Sequence, residues 1–288
     1  MLEVRRHAWP RYAAVGAGRM GRGIALAFAW AGHCVSVVDL KQRDAVARDR
    51  LKTEFWTEVR ASLEALSSLK AIAPDLIDPV LSRIQWVEAH QTEAALAAAD
   101  LVFEGVPETL DAKREVFEKL STLCSPEAVI TSTTSSILVT DLAPWVSRPE
   151  RFLNIHWLNP AYLIPVVELS VHPGTAQEVL ERCRQTMTSI GKVPVVCSAT
   201  PGYIVPRLQA LIMNEAARMI EEGAATAEEI DRATRYGLGL RFAAIGVVEF
   251  IDFGGADILH HASREMSASI SADRYRAPDV LERMIGAG

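Results

Sequence analysis

Six residues near the start of the chain, Gly16-Ala17-Gly18-Arg19-Met20-Gly21, constrain its fold more than any others. They follow a short apolar run, Tyr12–Gly16, and lead into Met20–Ala31, which reads as a buried helix. With this spacing the first glycine permits a tight turn and the second lets a diphosphate approach the backbone. The third lets the helix pack closely on the strand. The free N–H groups and dipole at the start of such a helix favour the diphosphate charge. Alone, the hexapeptide is a weak signal. Cys34–Asp39, alternating and rich in valine, supplies the context, because Asp39 ends a second strand 39 − 16 = 23 residues after the first glycine. A carboxylate there accepts hydrogen bonds from ribose hydroxyls and repels a 2′-phosphate, so NAD is expected rather than NADP. Arg43 is a counter-sign, and FAD, which uses a similar fingerprint, is the alternative cofactor. Gly16, Gly18, Arg19, Met20, Gly21 and Asp39 are therefore candidate cofactor residues.

A strand–turn–helix–strand unit of this kind opens a doubly wound α/β fold. Arg43–Ala71 reads as a long helix, with Val46, Leu51, Phe55, Val59, Leu63 and Leu66 on its apolar face. Ile84–Val87, Leu101–Glu104 and Ala128–Ser132 read as strands, with helices over Thr92–Ala98 and Lys113–Leu123. A mostly β stretch follows, with strands at Arg151–His156, Pro165–Ser170 and Pro194–Cys197. After Pro201-Gly202 the apolar residues Leu208, Leu211, Ile212, Ala216, Met219 and Ile220 recur at helical spacing. Thr226-Ala-Glu-Glu229 has the form of a capping box. The expected organisation is a Rossmann-like domain over residues 1–200 and an all-helical domain over residues 201–288.

A chain of 288 residues has room for two domains, and a formal charge of −6 without a basic run argues against a nucleic-acid partner. The longest apolar stretches fall short of the roughly 20 residues of a membrane span. The segment carrying Arg5 and Arg6 is a poor secretory signal, so a cytoplasmic location is expected. Four cysteines without a C-x-x-C pair suggest neither a disulfide framework nor a zinc site. Cys34 and Cys197, at the ends of apolar runs, are expected to pack as small hydrophobes. No metal is expected.

The chemistry-bearing candidates lie at strand ends. His156 ends an apolar segment in Asn154-Ile-His156-Trp-Leu-Asn159-Pro160, and Glu168 follows among Val166, Val167 and Leu169. A carboxylate in such company is costly to bury without a partner. An imidazole would supply one, and the pair would make a general base. The plainer alternative is a core histidine bonded to backbone, with Glu168 turned to solvent. The hydroxyls of Ser132–Ser136 would hold a substrate oxygen or a nicotinamide amide, or else simply cap a turn. Glu104, after an apolar strand, is either on the cofactor side or a cap for the next helix.

These residues, taken in order with Glu104-Gly-Val-Pro-Glu108, Lys113, Thr200-Pro-Gly-Tyr203 and Glu221-Glu222-Gly223, resemble the 3-hydroxyacyl-CoA dehydrogenase superfamily over almost the whole chain. The resemblance implies NAD-dependent hydride transfer, with His156 as the base, Glu168 orienting it and Ser135 contacting the substrate oxygen. It adds Glu104 and Lys113 to the cofactor residues and Asn159 to the substrate contacts, and it implies a homodimer. One departure stands out: Pro206 occupies the place of the family's usual asparagine, and proline has neither an amide side chain nor a backbone N–H. Other details, among them Gly237-Leu-Gly-Leu-Arg241, look closest to the gulonate and carnitine dehydrogenase branches. The expected substrate is therefore a small hydroxy carboxylic acid, with Arg207 and Arg241 as its carboxylate contacts or else in structural salt bridges. The alternatives are a short-chain L-3-hydroxyacyl-CoA dehydrogenase, a dehydrogenase of a heteroaromatic carboxylate alcohol or aldehyde, and a non-catalytic NAD-binding protein.

Overall fold

A computed structural model describes residues 11–287, so Arg5 and Arg6 lie outside the described residues. Its first unit is built on one eight-stranded sheet in the order β3-β2-β1-β4-β5-β6-β7-β8. The strands are β1 (Tyr12–Val15), β2 (Val35–Val38), β3 (Ile84–Trp86), β4 (Leu101–Glu104), β5 (Val129–Ser132), β6 (Phe152–Trp157), β7 (Val166–Val171) and β8 (Val193–Ser198). All pairings are parallel except β6 with β7. The helices of this unit are α1 (Arg19–Trp30), α2 (Ala45–Ser68), α3 (Ile77–Leu81), α4 (Thr92–Ala97), α5 (Leu110–Leu123), α6 (Val139–Leu142) and α7 (Gln177–Ser189). The next helix, α8 (Val205–Glu221), begins in this unit and runs on into the second.

Two apolar clusters hold the first unit together. One joins α1, the buried side of α2 and α7 through Ile24, Phe28, Phe55, Leu63, Phe103, Cys183 and Met187. The other joins α4, α5 and α6 through Val15, Leu96, Phe117, Leu120, Leu142 and Phe152. Strands buried on both faces read as near-continuous apolar runs, as β1, β2 and β4 do. Helix α7 is a departure from the expected β stretch. Val179, Leu180, Cys183 and Met187 give it a buried helical face within an otherwise polar segment. Two burial expectations also fail. Val46 is 79% exposed because it precedes the part of α2 that meets the core. Cys34, expected to pack as a hydrophobe, is exposed just ahead of β2.

The second compact unit, Ala210–Gly288, is helical: the rest of α8, then α9 (Ala227–Ala233), α10 (Leu240–Ala244), α11 (Val247–Gly254), α12 (Ala256–Ser269), α13 (Ala272–Tyr275) and α14 (Asp279–Ala287). Thr226 caps α9, its hydroxyl accepting from the Glu229 N–H at 3.3 Å. The protein is thus a Rossmann-like sheet domain followed by an all-helical domain. The contact division falls between Gln209 and Ala210.

Candidate active site

The carboxyl ends of β1, β2 and β4 frame a cavity of about 860 Å³ lined by Gly16–Met20, Asp39–Arg43 and Gly105–Pro107, among others. Its geometry follows from the glycines. Gly16 has φ +100°, and a Cβ there would stand 2.7 Å from the Gly105 carbonyl oxygen. A Cβ on Gly21 would stand 1.8 Å from the Gly16 oxygen, so only glycine lets α1 start this close to β1. A Cβ on Gly18 would have no neighbour within 4 Å, which leaves its backbone open to a ligand. Gly18 also caps α1 without a side chain, so the first N–H groups of the helix stay available for a diphosphate. These features fit a dinucleotide. Asp39 stands at the same rim, its carboxylate accepting from Arg43 Nε at 2.6 Å.

Glu104 and Lys113, expected at the cofactor, are not among the residues lining this cavity. Both are fully buried. Lys113 Nζ donates to both Glu104 oxygens at 3.0 Å, and Glu104 also accepts from Ser132 Oγ at 2.8 Å and the Val106 N–H at 2.8 Å. Helix α5 is capped by Thr109, so Glu104 does not cap it either. Lys113 reaches Glu108 at 3.3 Å as well. A buried charge survives only when paired and hydrogen-bonded in this way.

Glu108 closes the Glu104–Glu108 segment, and nothing in its local sequence points to a role. In the structure it is the anchor of the serine loop, its Oε1 accepting from the Ser135 N–H (2.9 Å), the Ser136 N–H (3.1 Å), the Ser136 hydroxyl (3.0 Å) and the Thr134 hydroxyl. Burial pushes this carboxyl upward, but the Thr134 bond, the Lys113 charge and the Ser136 donors outweigh it and hold the group at about 2. Among the described residues a lysine was missed as well. Lys192 is 6% exposed and donates to the carbonyls of Ala161 (2.6 Å) and Ile164 (2.8 Å). Burial lowers it to about 8. It ties the segment between β6 and β7 to the start of β8, and its only sequence signal was a lysine beside an apolar strand.

The antiparallel register of β6 and β7 places His156 directly opposite Glu168. His156 Nδ1 lies 2.7 Å from Glu168 Oε2, with both residues buried. The carboxylate thus has the partner that its apolar neighbours demanded, and it does not face solvent. Its other oxygen accepts the N–H groups of Ile204 (2.8 Å) and Val205 (2.7 Å) at the start of α8. Burial raises the Glu168 carboxyl, but the His156 bond and these two N–H groups more than offset it, and the net shift is downward. Pro206 follows in the first turn, where its missing N–H costs nothing. On its other side His156 Nε2 lies 3.2 Å from Ser135 Oγ. Tyr203 stacks on the imidazole with centroids 5.1 Å apart, and its hydroxyl accepts from Asn154 Nδ2 at 2.8 Å.

Because Nδ1 faces a carboxylate, the proton is assigned there, which leaves the Nε2 lone pair directed at Ser135. Ser135, His156 and Glu168 therefore have the connectivity of a hydrolytic triad as well as that of a general base. The dinucleotide cavity at the same sheet edge favours the second. Asn159 lines a separate cavity of about 380 Å³ with Arg19, Arg22, Glu58 and Tyr162. Arg207 is exposed in the first turn of α8. Arg241, in the helical unit, lies over the Phe250 ring at 4.4 Å. No helix of the described residues is long and apolar enough to cross a membrane, and no cluster of three potential metal ligands occurs among them.

Comparison with known proteins bears on this geometry. Residues 11–200 match the pattern described as 3-hydroxyacyl-CoA dehydrogenase, NAD binding domain, and residues 202–288 match the corresponding C-terminal domain. A 3-hydroxybutyryl-CoA dehydrogenase of Bradyrhizobium diazoefficiens is 34% identical over 95% of this chain and 89% of its own. A 5-formyl-3-hydroxy-2-methylpyridine 4-carboxylate 5-dehydrogenase of Mesorhizobium japonicum is 29% identical over 83% of this chain and 79% of its own. The crystal structure of a 3-hydroxyacyl-CoA dehydrogenase from Archaeoglobus fulgidus superposes with a TM-score of 0.75 at 29% identity, covering 97% of this chain and 87% of that one.

Proposed function

Since the chain belongs to the 3-hydroxyacyl-CoA dehydrogenase family and is an NAD-dependent dehydrogenase, we propose that it oxidises the secondary alcohol of a short 3-hydroxyacyl-CoA thioester. The observation that carries this reading is the His156 imidazole, held by Glu168 at 2.7 Å on one nitrogen and open toward Ser135 at 3.2 Å on the other. When bound, NAD supplies the carbon that accepts the hydride. The chain's own residues handle the proton. His156 Nε2 takes it from the substrate hydroxyl as the C–H bond gives up its electron pair and the C–O bond becomes a carbonyl. The imidazolium formed is stabilised by Glu168, whose second oxygen is already fixed by α8. Ser135 Oγ donates to the reacting oxygen, and Glu108 keeps that loop in place. Gly16, Gly18, Arg19, Met20, Gly21 and Asp39 hold the dinucleotide, while Glu104 and Lys113 brace the site from behind.

The expectation of a gulonate- or carnitine-like substrate gives way, because the relatives above are named for CoA thioesters or a pyridine carboxylate. A second reading, an aldehyde or alcohol on a heteroaromatic carboxylate, is favoured by Pro206, which cannot offer the amide contact, and by the Mesorhizobium relative. In that reading Arg207, exposed in the first turn of α8, is the contact proposed for a free acid. Turnover of L-3-hydroxybutyryl-CoA, free L-3-hydroxybutyrate and a pyridine carboxaldehyde acid, followed by NADH absorbance, separates the readings. Activity confined to the thioester supports the first, and activity confined to a free acid overturns it.

The helical unit is further proposed to mediate self-association. Tyr236, Leu240, Val248, Phe253 and Ile258 are each at least 64% exposed, and a second copy would cover them.

A further inference from the structure

By its position Asp39 is the residue expected to refuse a 2′-phosphate, but in the structure its charge is not free. Arg43 Nε binds Asp39 Oδ2 at 2.6 Å, with the side chains 27% and 11% exposed, and the Lys41 N–H approaches Oδ1 at 3.4 Å. Asp39, Lys41 and Arg43 all line the large cavity. The other cation–carboxylate pair there, Lys119 with Glu115 at 2.6 Å, neutralises itself. The carboxylate at the ribose end of the cavity is therefore already paired with a guanidinium rather than a free negative charge. A guanidinium has five donors in a planar fork, and the Asp39 bond uses only Nε. Among the described residues neither terminal nitrogen of Arg43 has a hydrogen-bond partner. Both can bind a phosphate while Nε keeps hold of Asp39.

We propose that Arg43 makes the ribose end of this cavity a binding site for adenosine 2′-phosphate, so that the chain takes NADP as a second cofactor beside NAD. The inference rests on the NAD cavity. Asp39 lowers the affinity for the phosphorylated form, and Arg43 keeps that form within reach. A carboxylate already paired with a cation repels a second anion far less than a free one does.

The test is titration of the full chain with NADH and NADPH by fluorescence, with 2′-AMP and 5′-AMP as competitors. In the unaltered chain NADPH binds about tenfold more weakly than NADH. Arg43→Ala lowers NADPH affinity at least about tenfold more than NADH affinity, and Arg43→Lys recovers part of the loss. Asp39→Asn raises NADPH affinity above that for NADH and makes 2′-AMP the better competitor. If Arg43→Ala shifts both dinucleotides equally, or if NADPH and 2′-AMP bind neither the unaltered chain nor Asp39→Asn, the proposal fails. Absence of NADH binding in the unaltered chain would instead remove the dinucleotide cavity itself.

Discussion

The two units of this protein solve the problem of burying apolar surface differently. The sheet unit encloses Phe28, Phe55, Phe103, Phe117 and Phe152 completely. In the helical unit, helices α10 and α11 have no buried residue, and Ile230 and Leu281 are the buried apolar side chains among those described. Leu240, Phe253 and Ile258 are 70%, 84% and 64% exposed. A fold is stabilised chiefly by apolar area removed from water. The sheet unit has that within one chain, whereas the helical unit leaves large apolar side chains exposed, the basis of the proposed self-association. The proposed chemistry residues accordingly stand on the sheet unit, His156 and Glu168 on the paired strands β6 and β7 and Ser135 in the loop after β5.

That contrast separates into measurements. Replacing His156 with Gln should lower kcat by about 10²–10⁴-fold, the usual worth of a positioned general base, while NADH binding and oligomer size stay within error. Loss of NADH binding in that variant would mean that the base and the cradle are not independent. The converse change, Phe253→Asp, should weaken self-association by about 10–100-fold, since burying a phenylalanine is worth about 1.5–3 kcal/mol. An unchanged mass by light scattering would show that this face is not the interface. Ser135→Ala should cost roughly tenfold in kcat if the serine only donates a hydrogen bond. NAD-independent ester hydrolysis abolished by the same change would establish the triad reading instead.

The smallest effect concerns pH. The folded Glu108 carboxyl titrates at about 2, below its ordinary 4.5. Its stabilising contribution is therefore complete above the ordinary value and is lost as pH falls from about 4.5 toward 2. The difference in Tm between the unaltered chain and Glu108→Gln should shrink through that window. A difference that stays constant with pH would assign Glu108 a purely steric role.

Much of this was legible in the residues. The glycine turn, Asp39 and the strands around them follow from spacing, because backbone conformation and close approach depend on local sequence. The His156–Glu168 pair was legible because a carboxylate among valines and leucine needs a partner. Glu104 and Lys113, expected at the cofactor, are buried as an ion pair and do not line the dinucleotide cavity. Their carboxyl-edge position was right, but the packing of α5 that closes them off is a tertiary fact. Glu108 gave no local signal, since its four donors lie 26 to 28 residues away. The missed helix α7 carried only four buried apolar positions among polar neighbours.

By itself, then, the sequence determined the dinucleotide cradle, the order of the strands and the identity of the proposed base and its partner, all properties of local pattern and burial cost. Tertiary structure alone decided the antiparallel register that sets His156 against Glu168, the clamp of Glu108 on the serine loop and the pairing of Asp39 with Arg43. Each of those depends on which side chains meet across a fold, and a hydrogen bond of about 3 Å is settled only once the strands and helices that carry its ends are packed.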